Sequence, residues 1–173
     1  MKTNDNNSRE LRKKFAVTII AALLLAIIYS IIFSFSAQDG EQSGGLSHMI
    51  SEKCVALLNS LSGKQWTTGF INNLTDYFEH PIRKIAHFGE YTCMGVLVYV
   101  MFRPWMRKSV RLYVLVILWV FLSAAADEFH QLFVPGRCGS FADVCLDTGG
   151  GAFGTLFCVF CERIFGNRKR KGV

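Results

Sequence analysis

Several signatures are missing from this chain, and each absence narrows what it can do. No basic stripe is interleaved with stacking aromatics, so nucleic acid is not an expected partner, although 19 Lys and Arg against 13 Asp and Glu leave a formal net charge of +6. No Lys-Ser/Thr follows the glycines at 149–151, which excludes a phosphate loop, and no G-x-S-x-G is present to mark a nucleophile elbow. The six cysteines form no disulfide framework, because Cys93, Cys145 and Cys158 fall inside apolar runs where Cys behaves as a small hydrophobe. Cys158-x-x-Cys161 lacks both the βαβ context of a redox pair and the second ligand pair of a zinc site. There is no internal repeat and no low-complexity tract. Charge itself is scarce at 18% of residues, while 51% are hydrophobic and the mean hydropathy is positive, which argues against an ordinary soluble domain.

What is present is a set of long apolar runs. Phe15 to Phe35 is apolar almost without interruption, and about 20 helical residues at 1.5 Å each reach across the hydrocarbon of a bilayer. A cleaved signal peptide competes for this run, with basic residues before it and small Ser34 and Ser36 after it. The run is longer than the usual ~7–15 residues of a signal core, which favours a span. Three further spans are expected at about 82–102, 110–127 and 141–165, so the fold class is an all-α membrane protein, a polytopic bundle of four transmembrane helices. The transmembrane domain then occupies 15–165, between basic tails at 1–14 and 166–173. Basic residues gather in the N-terminal tail, in Arg103 to Arg111 and in Arg168 to Lys171, so the positive-inside bias places both termini in the cytoplasm.

Residues 37–81 then form an extracytoplasmic segment that opens on the Gly- and Ser-rich AQDGEQSGGLS. Leu46, Ile50, Cys54, Leu57, Leu58 and Leu61 recur at helical spacing, as do Phe70, Ile71, Leu74, Tyr77 and Phe78. Two short amphipathic helices are expected, lying on the outer interface or packed on the bundle. Cys54 and Cys138 fall in segments on the same side and would be positioned to bridge if their geometry allowed.

Costly polar residues gather at one depth on that same side. In RKIAHFGEY, Lys84, His87 and Tyr91 share a helix face, with Glu90 at its edge. The third span ends AAADEFHQ, where Asp127, His130 and Gln131 are helical neighbours and Glu128 reaches an adjoining face. Val134-Pro135-Gly136-Arg137 has Pro and Gly where a type II turn prefers them, which folds spans three and four into a hairpin. Phe129, Leu132 and Phe133 before it are apolar enough to dip into the interface, leaving Arg137 facing the acids. The fourth span opens with Ser140, Asp143 and Asp147 on one face, and Gly150, Gly151 and Gly154 continue that face as a close-packing surface. Ionisable groups at membrane depth mark functional sites by default, so these residues define an outward vestibule; an ion-paired cluster fixing helix register is the competing reading.

The pieces FSFSAQDGEQS, RKIAHFGEY and DEFHQLFVPGRCGSFADVCLDTGGGAFG, in that order and spacing, resemble the VanZ-like family, whose namesake is the teicoplanin-resistance protein of glycopeptide-resistant bacteria. The resemblance covers about Phe33 to Gly154. It implies a small polytopic protein of the bacterial envelope, in some cases linked to resistance against lipid-tailed glycopeptides, and it carries no settled biochemical activity. Many members have Asn at the position of Asp147, which points to hydrogen bonding there rather than acid–base work.

Three functional classes follow. In the leading one, Lys84, Tyr91, Gln131, Arg137, Ser140 and Asp147 bind an envelope precursor, a lipid headgroup or a lipid-tailed glycopeptide, contributing to low-level teicoplanin-type resistance. In the alternative, a membrane-embedded hydrolase or transferase acts on lipid-linked or wall-linked substrates, with His87, Glu90, Asp127, Glu128, His130 and Asp143 as candidate acids and bases. A metal-dependent variant would use His87-x-x-Glu90 and Asp127-x-x-His130, each pair one helical turn apart, a set suited to zinc or manganese. A proton-coupled transporter is a third class, disfavoured by the lack of inverted repeats. Membrane lipid is the expected partner; the pattern specifies no cofactor and no oligomeric state.

Overall fold

The computed structural model describes the backbone of residues 2–38 and 40–170, and side chains within 5–38 and 45–164. Among the described residues there are five helices and no strand: α1 Lys2–Ser36, α2 Gly40–Ser62, α3 Thr68–Phe102, α4 Val110–Gln131 and α5 Phe141–Arg170. Four of them, α1, α3, α4 and α5, are long and apolar enough to cross a membrane, matching the four expected spans.

Long-range contacts fix the order of the bundle. Ser36 and Phe33 of α1 meet Gln131 and His130 of α4, so α1 and α4 run the same way. Thr18 near the start of α1 meets Met101 at the end of α3, while Lys84 and Tyr99 of α3 meet Asp143 and Glu162 of α5. The four spans therefore alternate up and down, and the start of α1 and the end of α5 lie at one end of the bundle.

α4 shows how the sequence sets the packing. Leu112, Val116, Val120 and Ala124, spaced four apart, are all fully buried, while Val114, Leu118 and Leu122 on the other faces are more than half exposed. A helix apolar all round with one packed stripe is what a bilayer requires. Continuing the stripe by four residues reaches Glu128, so the register that buries the valines also buries a carboxylate.

Lipid supplies no water-release gain for helix association, so close approach matters most. α5 provides it: a Cβ on Gly150 would overlap the carbonyl of Phe88, one on Gly154 the carbonyl of Thr92, and one on Gly151 the Val120 side chain. Gly95 of α3 reciprocates against the Gly151 backbone, and Thr92 Oγ1 donates to the Gly150 carbonyl at 3.1 Å. The packing role expected for the glycine face is what the structure has.

Three elements run past their expected limits. α1 continues through the basic tail, where Arg9–Asp5 at 3.1 Å and Lys13–Glu10 at 3.0 Å pair along one helix side and no breaker precedes Phe15. α5 has helical backbone through Arg170; residues 171–173 lie outside the described residues. The third difference is at Pro81, where a boundary was expected between an amphipathic helix and the second span. α3 instead runs unbroken from Thr68, capped by the Thr67 side chain, with Pro81 inside it. Proline removes one backbone donor and crowds one carbonyl, a local cost that flanking packing can offset. That packing comes from α2, which lies antiparallel on the first half of α3: Ser51 Oγ donates to the Thr75 carbonyl at 2.5 Å, and Val55 is fully buried. Gly63, at φ +63°, turns the chain between them. One face of α2 thus packs on protein, while Leu57 and Leu61 on another face are 60% and 74% exposed.

Candidate functional site

Four segments meet at the bundle end opposite the chain termini: the end of α1, the middle of α3, the end of α4 and the start of α5. The hairpin joining α4 to α5 closes the corner. Its turn is made as expected, with Arg137 N–H donating to the Val134 carbonyl at 3.2 Å and Gly136 at φ +73°. Phe129, Leu132 and Phe133 before it are all more than half exposed. Gly139 has a role the sequence reading did not assign, since a Cβ there would overlap the Glu128 carbonyl. That close approach lets the Ser140 N–H reach Glu128 Oε2 at 2.7 Å.

Between these segments lies a polar cavity of 260 Å³ whose walls include Lys84, His87, Glu128, Gln131, Arg137, Asp143 and Asp147, seven of the twelve residues singled out from the sequence. The ion pair Lys84 Nζ–Asp143 Oδ1, at 2.5 Å, ties α3 to α5 across it. Asp147 differs: it is 1% exposed, and neither carboxylate oxygen has a hydrogen-bond partner among the described residues.

Arg137 lines the cavity with the acids, but its hydrogen bonds go elsewhere. Among the described residues it pairs with no carboxylate; Nη2 donates to the Phe35 carbonyl at 2.8 Å and Nε to the Gln38 carbonyl at 3.3 Å. A helix end offers unsatisfied carbonyls, and a planar guanidinium is shaped to take two of them. The hairpin is thereby tied to the end of α1. Burial, with Arg83 nearby, lowers the Arg137 pKa from its ordinary value, while Asp127 and Glu128 oppose that shift. A partly desolvated guanidinium beside a second cation favours a bound anion.

The remaining predicted residues are placed elsewhere. Glu90 faces a smaller space beneath α2, shared with Ser47, Arg83 and Arg137, and its Oε2 lies 3.7 Å from His87 Nδ1. Tyr91, Asp127 and His130 line a separate groove between α1 and α4, where the His130 ring packs tilted against Phe33 with centroids 5.0 Å apart. Gln131 connects the two spaces: its amide donates to Asp127 Oδ2 at 3.2 Å and to Ser36 Oγ at 2.9 Å. Ser140 contributes its backbone N–H and caps Ala142 through its hydroxyl at 3.2 Å.

Three residues at this end were not among the sequence candidates: Arg83, which lines both the cavity and the space under α2, His80 at the cavity, and Ser36, which accepts from Gln131. Arg83 stands beside Lys84 in RKIAHFGEY and four residues before His87, so the helical period places it toward the same site. Ser36 is fully buried and lies within FSFSAQDGEQS, so the motif itself carried that signal. The two paired sets proposed for a metal sit apart, His87 with Glu90 and Asp127 with His130. Among the described residues no three of His, Cys, Asp and Glu converge as a metal site would need. Cys54 and Cys138 are both free thiols.

A bundle of four spans with a charged cavity sunk into one end defines a polytopic α-helical membrane protein whose ionisable groups converge from distant segments. The chain belongs to the VanZ/LLP1 family, whose model matches residues 21–162 and so takes in the end of α1, all of α2 to α4 and most of α5. No curated protein and no solved structure matches the chain.

Proposed function

We propose that this VanZ-like protein sits in the bacterial cell membrane with both termini cytoplasmic and the cavity facing outward, where it binds the polar head of an envelope-associated ligand: a wall precursor, a lipid headgroup or a lipid-tailed glycopeptide. Such binding would contribute to low-level teicoplanin-type resistance. The observation that carries the reading is the Asp147 carboxylate, buried and without a hydrogen-bond partner among the described residues at the wall of a cavity that also holds Arg137. Leaving a buried acceptor unpaired costs about 1–3 kcal/mol, more for a charged group, and a ligand hydroxyl or amine reaching Asp147 would recover it. The opposite end of such a head, a phosphate or carboxylate, suits Arg137 and Arg83. Lys and Arg accumulation at the chain ends and in 103–111 supports the orientation.

The test pairs topology with susceptibility. Single cysteines placed near Gln65 and Arg137 should react with an impermeant reagent in intact cells, and those near Lys108 and Lys169 should be protected. In cells made teicoplanin-tolerant by this protein, Arg137→Lys and Asp147→Leu should insert at normal levels yet lose the protection. Full protection in both variants would refute a binding role for the cavity. The hydrolase or transferase reading draws on His87 and Glu90 at the same end, and release of phosphate or sugar from an outer-leaflet precursor by pure protein would replace binding with turnover.

A further inference from the structure

α1 and α4 touch at few points along their length, and the gap between them is a groove of 520 Å³ distinct from the polar cavity. Its lining on α4 runs from Trp119 to His130, about 16 Å at 1.5 Å per residue. One end is closed by a hydrogen-bonded bridge, Trp119 Nε1 to Tyr29 OH at 2.9 Å and Tyr29 OH to Ser123 Oγ at 2.5 Å. Ile32 and Phe33 of α1 face Leu122 and Ala126 of α4 in between. At the other end stand Tyr91, Asp127 and His130, and there the polar groups are incompletely satisfied: the Tyr91 hydroxyl and His130 Nδ1 are buried with no hydrogen-bond partner among the described residues, and Tyr91 as a whole has no exposed surface. An apolar gap between two membrane spans that ends on unpartnered hydrogen-bonding groups has the chemistry of a single-chain amphiphile.

We infer that the α1–α4 groove holds one hydrocarbon tail of a membrane amphiphile, whose first polar atoms, an ester, ether or phosphate oxygen, hydrogen-bond to Tyr91 and His130. The groove is laid out for entry from the bilayer, because both of its walls are spans whose outer faces carry exposed Leu, Ile and Phe. It also lies beside the cavity. Gln131 lines the cavity, Asp127 lines the groove, and the Gln131 amide donates to Asp127 between them. Resting on the headgroup reading above, the inference narrows its ligand class to molecules with a polar, anionic head and a single long tail in the groove. A soluble head alone would then be a weak ligand.

The experiment uses purified full-length protein in a non-ionic detergent and two probes, dodecyl phosphate and inorganic phosphate, each titrated by a thermal-shift or native mass-spectrometric readout. Dodecyl phosphate should bind at least tenfold more tightly than inorganic phosphate. Ala126 is exposed within the groove, so enlarging it fills space without disturbing a packed contact. Ala126→Val and Ala126→Phe should progressively reduce the tail advantage, to threefold or less for the larger residue, with inorganic phosphate binding unchanged. Tyr91→Phe should weaken dodecyl phosphate binding severalfold, and a matched Leu156→Phe change on the lipid-facing side of α5 should alter nothing. If Ala126→Phe folds and keeps the full tail advantage, the groove inference is overturned while the headgroup reading stands. If Arg137→Gln leaves binding of both probes intact but Ala126→Phe abolishes dodecyl phosphate binding, the headgroup reading falls and the groove stands. Should Ala126→Phe not fold, the Ala126→Val and Tyr91→Phe results decide between the same outcomes.

Discussion

The molecule carries an ionic cluster at each end of its bundle, and the two are built on opposite principles. At the end that holds the chain termini, Glu162 of α5 is saturated. Its Oε1 accepts from Arg103 Nε at 3.0 Å and from the Tyr99 hydroxyl at 3.3 Å, and its Oε2 pairs with Lys108 Nζ at 2.5 Å. This clasp fastens the 103–109 loop to α5, and Trp105 fastens the same loop to α1 through Thr18 at 2.7 Å. At the other end the residues are equally charged but not mutually consumed. Lys84 and Asp143 pair and Glu90 Oε2 lies 3.7 Å from His87 Nδ1, while the Asp147 carboxylate has no hydrogen bond among the described residues and lines the cavity. Charge at membrane depth does not by itself distinguish structure from function; what distinguishes them is whether the protein's own groups use up the donors and acceptors.

Four perturbations would sharpen or break that contrast. The largest effect should come from Gly154→Leu, which drives a side chain into the Thr92 carbonyl and forces α3 and α5 apart, damaging both clusters together. A loss of about 3 kcal/mol or more in detergent is expected, read as a collapse of the thermal unfolding midpoint and of yield. Wild-type behaviour would mean that α5 does not pack on α3 as described.

Next comes Glu162→Ala, which strands Arg103 and Lys108 around a partly exposed site. It should cost roughly 1–3 kcal/mol of stability in the same assay and leave ligand binding at the far cavity within twofold of wild type. A functional defect without a stability loss would erase the distinction between the clusters.

Arg137→Lys should show the inverse profile. It keeps the charge but lacks the planar fork that spans the Phe35 and Gln38 carbonyls, so the hairpin loosens from α1 and the cation shifts from its place at the cavity wall; about a tenfold loss of headgroup binding is expected with a stability change near 1 kcal/mol. A large unfolding effect with binding intact would recast Arg137 as a tether only.

The smallest effect is expected for Asp147→Asn. An amide retains a hydrogen-bonding group while removing an ionisable one that has no hydrogen-bond partner among the described residues, so stability should hold or rise by up to ~1 kcal/mol. Marked destabilisation would show that the ionised carboxylate has a partner within the folded protein.

Much of this was legible in the sequence, in a particular way. Spans are visible because hydropathy is summed along the chain, and the helical period places Lys84 with His87 and Asp143 with Asp147 on shared faces without reference to any other helix. The same locality explains the error at Pro81. Proline is a local breaking signal, and the α2 packing that carries α3 through it comes from a segment about 25 residues away in the chain. The fate of Arg137 could not be read at all, because its partners lie at positions 35 and 38, about 100 residues earlier, and are backbone carbonyls that no side-chain pattern advertises.

By itself, then, the sequence determined four spans, their capacity for close approach at Gly150, Gly151 and Gly154, and the collection of ionisable residues at one depth, since each follows from residue type and helical period. Only the tertiary structure decided that those residues divide between a polar cavity and an apolar groove, that Asp143 is paired while Asp147 is not, and that α2 lies along α3. Those outcomes depend on the rotation of each helix about its axis relative to its neighbours. That rotation is set by contacts such as Gly95 on Gly151 and Ser36 on Gln131, between residues far apart in the chain.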